Sequence, residues 1–560
     1  MNPPLRTAGG VSAAAASELD PVEERIVQHL FELQPGYAVF LGLHQYDGRM
    51  PDLSRAATDR WANTAHDLLG QLRSVPRDRL PPGRHLDANL LQLLLESPLF
   101  DLEEGRDLER NPMSYIGPIS LTPYMIREYA PAAARVDAMV RAISAVPELL
   151  ATGRRRLESR LPDPFVRLAV AMGSAIPSHL QEAEEFARRR SAALGDRVRD
   201  VRAPAEAAVT EFVERLKTEY AARAVPEFAL GPAKYQKLLW VREGIESPYS
   251  EVLAAGQADL DRNQRRLTEI ARAAHPALPA AEAVSRVLES LYQNHPTAAG
   301  LVPFAQQLVS EAREFVAGRD LVTIPQPDTC RVEETPVYGR ALSTASMNPP
   351  GPFDVGGDEG IYFVTPVDPA WTPERQEQWL RAMNNEMLRN ITVHEVYPGH
   401  YLQFLHFRHA AGTLTRKVYL SSSFAEGWAH YAEQLAIESG LGAGRPDAEI
   451  AQLHDALLRD CRLIASIGLH TQGWTIAQAT ELFQREAHFE ALPAEREAIR
   501  GTFNPEYFCY TLGKLAILEA RRKHLPGRFH GSLKGFHDTL LGFGCPPIGM
   551  LDALFEGRGA

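Results

Sequence analysis

The chain has 560 residues, of which 45% are hydrophobic and 23% are charged, and its formal net charge is −12. This length exceeds what one simple core usually supports, so we expect two lobes. The negative charge argues against nucleic acid as a partner, and the lack of a run of roughly 18 apolar residues argues against a transmembrane helix.

The first segment, residues 1–17, is rich in alanine, glycine and proline. It lacks the continuous apolar run of a signal peptide, so we predict a disordered N-terminus and a cytoplasmic protein. Four cysteines, without a C-x-x-C pair, are sparse for a disulfide scaffold, and we expect reduced thiols.

Between residues 18 and 317, apolar residues recur at helical spacing in stretches separated by prolines. Clear examples are Thr58–Val75, Ala132–Val146, Glu148–Arg160 and Ala280–Gln293. This pattern predicts a helical N-terminal lobe that lines one wall of a groove. It contains no glycine-rich phosphate-binding loop.

Residues 318–370 change character. Val322–Ile324, Val337–Arg340 and Ile361–Val367 are β-like runs separated by glycine and proline. We predict a small β-sheet near the active site, of a kind that can bind an extended peptide along a strand edge. The loop at residues 346–359 is either a flap over the cleft or a plain connector.

Residues 371–560 are predicted to form a second helical lobe. It begins with a long helix for which Thr372 is the N-cap and Pro373 the first residue. Apolar residues at helical spacing then continue to Ile391, so this helix carries His394 and Glu395 into the interior. Buried histidines and glutamates need partners.

The sequence His394-Glu395-Val-Tyr-Pro-Gly-His400 resembles the H-E-x-x-H zinc motif with two extra residues. On a regular helix the two histidines would point about 120° apart. Pro398 and Gly399 allow a bulge or kink that returns His400 to the face of His394. The alternative is a buried helix with hydrogen-bonded core histidines.

Glu426 is the candidate third ligand, because His₂Glu is a standard set in catalytic zinc sites. It lies in a second predicted helix, 31 residues after Glu395. Ser423-x-x-Glu426 is alternatively a capping box. Glu433, two turns later, either supports the ligands or is solvated.

Asn504-Pro505-Glu506 has the features of a helix start, namely an N-cap, a proline and an acidic first turn. In the predicted helix, Tyr510 and Arg521 lie close to three turns apart and therefore share a face. They are either functional groups or a core tyrosine and a surface arginine.

Five stretches together resemble the bacterial domain-of-unknown-function 885 family. They are H-E-V-Y-P-G-H-Y-L-Q, F-A-E-G-W-A-H-Y-A-E, R-L-I-A-S-I-G-L-H-T-Q-G-W at 462–474, C-Y-T-L-G-K at 509–514 and F-H-D-T-L-L-G-F-G at 536–544. The family in turn resembles all-helical gluzincin peptidases such as thimet oligopeptidase and angiotensin-converting enzyme. The resemblance implies a mostly α, two-lobed, metallopeptidase-like fold with a deep groove.

The same resemblance implies roles for particular residues. It implies one Zn²⁺ per chain, with His394, His400 and Glu426 as ligands and Glu395 as general base. Tyr510 would be the first candidate for donating a hydrogen bond to the oxyanion.

Other residues are candidates for the binding of substrate. Tyr507 and His470 are the next candidates as oxyanion donors, and Arg521, Lys514 and Arg462 could bind a peptide carboxylate. Two positions depart from the family pattern: Ser466 replaces an aspartate, and Glu506–Tyr507 replaces Gly-Gln.

Three functions remain open from the sequence. The first is a zinc-dependent hydrolase that cleaves short peptides, with Glu395 activating a water molecule. The second is a zinc amidohydrolase or acyl-transfer enzyme that acts on a non-peptide amide or ester. The third is a peptide-binding protein without turnover, against which the presence of Glu395 argues. The sequence does not indicate an oligomeric state.

Overall fold

The structure is a computed structural model that describes residues 18–81, 83–340, 343–354, 359–410 and 412–557. The predicted disordered segment 1–17 lies outside these residues. The described chain is mostly helical and contains one small sheet, which confirms the predicted fold class at that level. The two-lobed, metallopeptidase-like shape and the deep groove remain predictions.

The first part of the chain is a succession of helices. They are α1 (Asp20–Leu33), α2 (Pro35–Phe40), α3 (Arg55–Ser74), α4 (Arg84–Leu99), α5 (Asp107–Arg110), α6 (Thr122–Ile126), α7 (Ala132–Arg156), α8 (Asp163–Arg190), α9 (Ala192–Arg215), α10 (Pro232–Glu243), α11 (Tyr249–Ala274), α12 (Ala280–Gln293) and α13 (Leu301–Arg319). Helix α7 continues through Pro147, where the sequence pattern predicted two separate helices.

Three strands follow α13: β1 (Thr329–Glu334), β2 (Ala345–Asn348) and β3 (Glu359–Val364). Their order is β1-β3-β2, with β1 parallel and β2 antiparallel to β3. Only the third predicted strand is therefore correct. Residues Val337–Gly339 form a short 3₁₀ turn after Pro336. Thr323 bonds to the Asp538 side chain and to His406 instead of joining a ladder.

The remaining helices are α14 (Pro373–Ala382), α15 (Asn385–Glu395), α16 (His400–His409), α17 (Leu414–Val418), α18 (Ser422–Glu438), α19 (Pro446–Thr471), α20 (Ile476–Glu486), α21 (Ala491–Phe503), α22 (Cys509–His524), α23 (Leu533–Gly542) and α24 (Leu551–Phe555). None of the helices in the described residues is long and apolar enough to cross a membrane.

The long helix predicted from Pro373 to His394 is divided in two. Thr372 caps α14 as expected, because its side chain accepts a hydrogen bond from the Arg375 amide. The helix then stops, and the Asn384 side chain accepts a hydrogen bond from the Met387 amide to begin α15. Asn384 is completely buried. An internal N-cap residue therefore separates the two helices.

The helix predicted to start at Asn504 begins later. Residues 505–508 form turns, and α22 starts at Cys509. The N-cap assignment of Asn504 is therefore wrong. The turn also places the Pro505 carbonyl where the Ser466 hydroxyl donates a hydrogen bond to it, at 2.7 Å.

The hydrophobic core consists of two clusters that do not follow the predicted boundary at residue 317. One contains α1, α3 and α7–α9 together with α16, α18 and α23. The other joins α10–α12 to α19–α21. Each cluster contains helices from both sides of residue 317, so the packing crosses this boundary. The predicted domain limits stay predictions.

Candidate metal centre

The segment between α15 and α16 brings the two histidines of the lengthened motif together. Helix α15 ends at Glu395, and His400 is the first residue of α16. A Cβ atom at Gly399 would lie 1.8 Å from the His394 carbonyl oxygen, so only glycine fits there. The Trp428 indole donates a 2.8 Å hydrogen bond to the Pro398 carbonyl and fixes the loop. The histidines therefore lie on two helices, not on one bulged helix.

His394, His400 and Glu426 form a compact cluster, and their candidate ligand atoms all lie within 4.8 Å of one another. Glu426 Oε2 is 3.5 Å from His394 Nε2 and 3.4 Å from His400 Nε2. Ligands at about 2.0–2.1 Å from one tetrahedral ion are about 3.3–3.4 Å apart. The donor set and its spacing therefore fit a zinc ion.

The orientation of Glu426 removes the capping-box alternative. The N-cap of α18 is Ser421, whose hydroxyl accepts a hydrogen bond from the Phe424 amide. Glu243, at the end of α10, accepts hydrogen bonds from the Ser421 hydroxyl and from the Ser423 amide. The hydrogen bonds at the start of α18 are thus made without Glu426, whose side chain faces the histidines instead.

Glu433 supports the cluster from behind. It is completely buried, and its Oε1 lies 2.7 Å from His394 Nδ1. Arg459 and Asn390 also donate to this carboxylate, at 2.9 and 3.1 Å. A carboxylate on the far nitrogen of a ligating histidine fixes the ring and leaves Nε2 as the ligand atom. The alternative that Glu433 is solvated is wrong.

The electrostatics of the cluster favour a positive centre. Burial alone would lower the pKa of His394, but hydrogen bonds to Glu426 and Glu433 raise it to about 9. Burial alone would raise the pKa of Glu426, yet His400 and His394 hold it well below its usual range. Two carboxylates thus surround His394 in the interior, and a cation among them would offset their charge.

Glu395 lies next to this cluster and next to the sheet. Burial raises the pKa of its carboxyl group, and the charges of His400 and His394 partly oppose this rise. The Met347 amide of β2 donates a hydrogen bond to this carboxylate. Strand β2, which lies at the edge of the sheet, is therefore next to the candidate base.

Two glycines bring Tyr510 to the cluster. A Cβ atom on Gly427 would lie 2.4 Å from the Gly513 backbone, and one on Gly513 would lie 1.8 Å from the Ser423 carbonyl oxygen. Helices α18 and α22 can therefore cross at backbone contact. The charge of Glu426 is the largest cause of the raised pKa of the nearby Tyr510 phenol.

Arg462 and Tyr507 belong to a neighbouring ion-pair cluster. Arg462 makes two hydrogen bonds to Glu497, at 2.7 and 2.9 Å, and its guanidinium lies 5.2 Å from the ring centres of Tyr507 and Tyr510. The buried Tyr507 donates its hydroxyl to Glu497 at 2.8 Å. Both groups lie next to Tyr510. These contacts do not support a substrate role for either group, and those roles stay predictions.

Three other predicted substrate-binding residues make contacts outside the ligand cluster. His470 bonds to the Gly501 carbonyl and the Leu230 amide, so both ring nitrogens are occupied. Lys514 is completely buried, with its ammonium 2.6 Å from Asp259. Arg521 binds Glu438 at 2.8 Å near the surface. Their substrate roles stay predictions.

The supporting residues were harder to find in the sequence than the ligands. Glu433 lies seven residues after Glu426, which is two helical turns on the same face, and this spacing was its only signal. Arg459 and Asn390 come from other helices, α19 and α15, and no local pattern connects them to Glu433.

Comparisons with known proteins give a family and a fold. A family model described as "Bacterial protein of unknown function (DUF885)" matches residues 35–554. No curated protein matches the sequence.

Two solved structures have a similar fold. One is "a putative lipoprotein of unknown function from Shewanella oneidensis", with 23% identity and a TM-score of 0.79 over 96% of this chain and 100% of that chain. The other is "the putative lipoprotein from Colwellia psychrerythraea", with 18% identity and a TM-score of 0.78 over 96% and 98%.

Proposed function

Since this chain belongs to the bacterial DUF885 family, we propose its function from the geometry of its own site: it is a zinc-dependent hydrolase that cleaves short peptides. The observation that carries this proposal is the His394–His400–Glu426 cluster with a further, partly buried carboxylate, Glu395, beside it. The cytoplasmic location remains a prediction.

The donor set favours zinc over harder cations. Two imidazoles and one carboxylate are typical of zinc, whereas Mg²⁺ and Ca²⁺ prefer oxygen ligands. His394 is oriented by Glu433, and this arrangement is common at histidine–zinc sites. A bound Zn²⁺ would polarise the substrate carbonyl and lower the pKa of a water molecule.

Glu395 supplies the proton transfers in the proposed reaction. Its carboxylate accepts a proton from the attacking water and then delivers it to the leaving amine. Its raised pKa, caused first by burial, favours this second role. A ligand-binding protein would have no use for such a group, which favours catalysis over peptide binding alone.

Strand β2 and Tyr510 provide the two further requirements. An extended peptide can run along the outer edge of β2, where the Met347 amide bonds to Glu395, so that its backbone lies next to the candidate base. The Tyr510 hydroxyl, near Glu426, would donate a hydrogen bond to the carbonyl oxygen as negative charge develops. This edge also supports a peptide substrate over a small ester.

The test combines metal content with turnover. We expect one zinc per chain in the wild type and a loss of bound zinc in His400→Ala, because two ligands hold zinc much less firmly than three. His409→Ala, at the other end of α16, is the control variant.

The wild type is also assayed with short peptides, N-acyl amino acids and esters. Peptide cleavage that stops on chelation and returns with zinc supports the proposal. Equal zinc in the wild type and in His400→Ala, or turnover of esters alone, would contradict it.

A further inference from the structure

A cavity of about 150 Å³ lies where α1, α2, α4 and α10 meet the start of α18. One part of its wall is aliphatic and is formed by Leu30, Leu93, Leu94, Pro98, Val241 and Leu420. The rest is formed by two tyrosines and by polar residues that include Gln34, Arg242, Glu243, Ser422 and Glu506. A pocket that combines apolar surface with a few convergent polar groups is typical of a ligand site.

The cavity and the candidate metal centre lie one helical turn apart along α18. Ser422 lines the cavity and is exposed, and Glu426 follows four residues later in α18, one turn along the same helix face. Side chains of a helix lean towards its N-terminus, so the Glu426 carboxylate leans towards the cavity.

Electrostatics give the same placement. Burial raises the pKa of the Cys509 thiol, and the charges of Glu426, Glu506 and Glu243 raise it further. The metal-centre carboxylate and the two cavity carboxylates are therefore all close enough to act on one side chain.

The cavity has a deficit of positive charge. All three nitrogens of Arg242 are engaged: Nε with Glu506 at 2.8 Å, NH2 with Asp101 at 2.6 Å and NH1 with Ser97. One guanidinium is thus shared by two carboxylates, those of Asp101 and Glu506, and Glu243 adds a further carboxylate to the cavity lining.

The charge of Glu506 adds to the raised pKa values of two neighbouring acids, although burial is the first cause for each. The pKa of Asp101 is raised, and the pKa of Glu243 rises to about 7.

Glu506 offers an open acceptor. Only its Oε1 takes part in the bond to Arg242, and among the described residues no hydrogen bond reaches its Oε2. Its side chain is 28% exposed and lines the cavity. By contrast, Glu243 is fully committed to capping α18. A group entering the cavity would therefore meet an aliphatic wall and, on the polar side, the open Oε2 atom of Glu506.

We propose that this cavity is a specificity pocket for an ammonium group on an alkyl stem, and that the preferred substrates are peptides with a lysyl side chain near the cleaved bond. The proposal rests on the proposed peptidase function. The stem packs against the leucines, and the ammonium donates to Glu506 Oε2. The free α-ammonium of a peptide has the same chemistry but lacks the stem.

The experiment compares N-acetylated peptides that differ at one position only, which is lysine, Nε-acetyl-lysine or norleucine. The wild type should prefer lysine to norleucine in kcat/KM by about ten-fold or more, as expected for a charge-assisted hydrogen bond. Glu506→Gln should abolish this preference, so that kcat/KM for the lysine peptide becomes equal to that for the norleucine peptide in the same variant. Glu506→Asp, which keeps the charge on a shorter side chain, should retain part of it.

The control is Glu449→Gln. Glu449 also pairs with an arginine and is also 28% exposed, but it lies far from the cavity, in α19. Its variant should keep the wild-type preference. A preference that survives in Glu506→Gln, or that is absent in the wild type, would overturn the proposal. Turnover that depends on a free N-terminus, without a preference for lysine, would assign the α-ammonium to the cavity and also overturn it.

Binding of the same peptides, measured by calorimetry, separates this proposal from the peptidase function. If no peptide is cleaved but the lysyl peptide binds about ten-fold tighter than the norleucine peptide, and Glu506→Gln removes the difference, the pocket stands and the peptidase function fails. Cleavage without any such difference in binding or rate would refute the pocket alone.

Discussion

The strongest test of the metal centre is the change Glu433→Gln, which touches no candidate ligand atom. The Glu433 carboxylate lies 2.7 Å from His394 Nδ1 and 2.9 Å from Arg459. Glutamine keeps the size of the side chain and one acceptor oxygen. It loses the negative charge that orients the imidazole and balances the buried guanidinium.

Two effects of this change can be estimated. Removal of the carboxylate behind a ligating histidine typically weakens metal affinity about 10–100-fold, or about 1.4–2.7 kcal/mol. Loss of one partner of a buried ion pair costs up to about 3–5 kcal/mol of folding stability. The second cost should be smaller here, because Asp455 remains 3.7 Å from Arg459.

The assay is zinc competition against a chelator of known affinity, at a temperature where circular dichroism shows the variant to be folded. Glu438→Gln is the matched control, because Glu438 lies five residues later in the same helix and pairs with Arg521 near the surface. The control should bind zinc like the wild type. A folded Glu433→Gln whose zinc affinity lies within about two-fold of wild type would refute the supporting role of Glu433.

Three further predictions follow from the site and its surroundings. Glu395→Gln should keep zinc and lose about two to four powers of ten in kcat, because a general base is removed; zinc loss on elemental analysis would make Glu395 a ligand instead. Tyr510→Phe should raise the activation free energy by about 2.7–4 kcal/mol, so that kcat and kcat/KM fall together and KM is almost unchanged; an unchanged kcat would make Tyr510 a packing residue. His44 bonds to Asp47 and Asp354, and although burial opposes its charge, these bonds raise its pKa from 6.5 to about 9. The contribution of protonated His44 to the free energy of unfolding, at most about 3 kcal/mol, should be complete below about pH 6.5 and should disappear as the pH rises through 9. Urea unfolding of His44→Gln should therefore lack this pH dependence.

The sequence alone determined the features that depend on neighbours along the chain. Helical spacing of apolar residues predicted a mostly helical protein, and short-range capping placed Thr372 correctly. The three candidate ligands also came from sequence, since zinc chemistry restricts the residue types and Gly399 signalled the irregular backbone between the histidines.

Tertiary structure alone decided which polar residues belong to the site. Glu433 and Arg459 meet only because α18 and α19 pack together, and Tyr510 reaches Glu426 only because Gly427 and Gly513 let two helices touch. Conversely, Tyr507, His470 and Lys514 had the chemistry of substrate-binding groups, but packing gave them buried partners. Local sequence encodes the helix and its faces. The partner that each face meets depends on contacts between residues far apart in the chain, which no local pattern records.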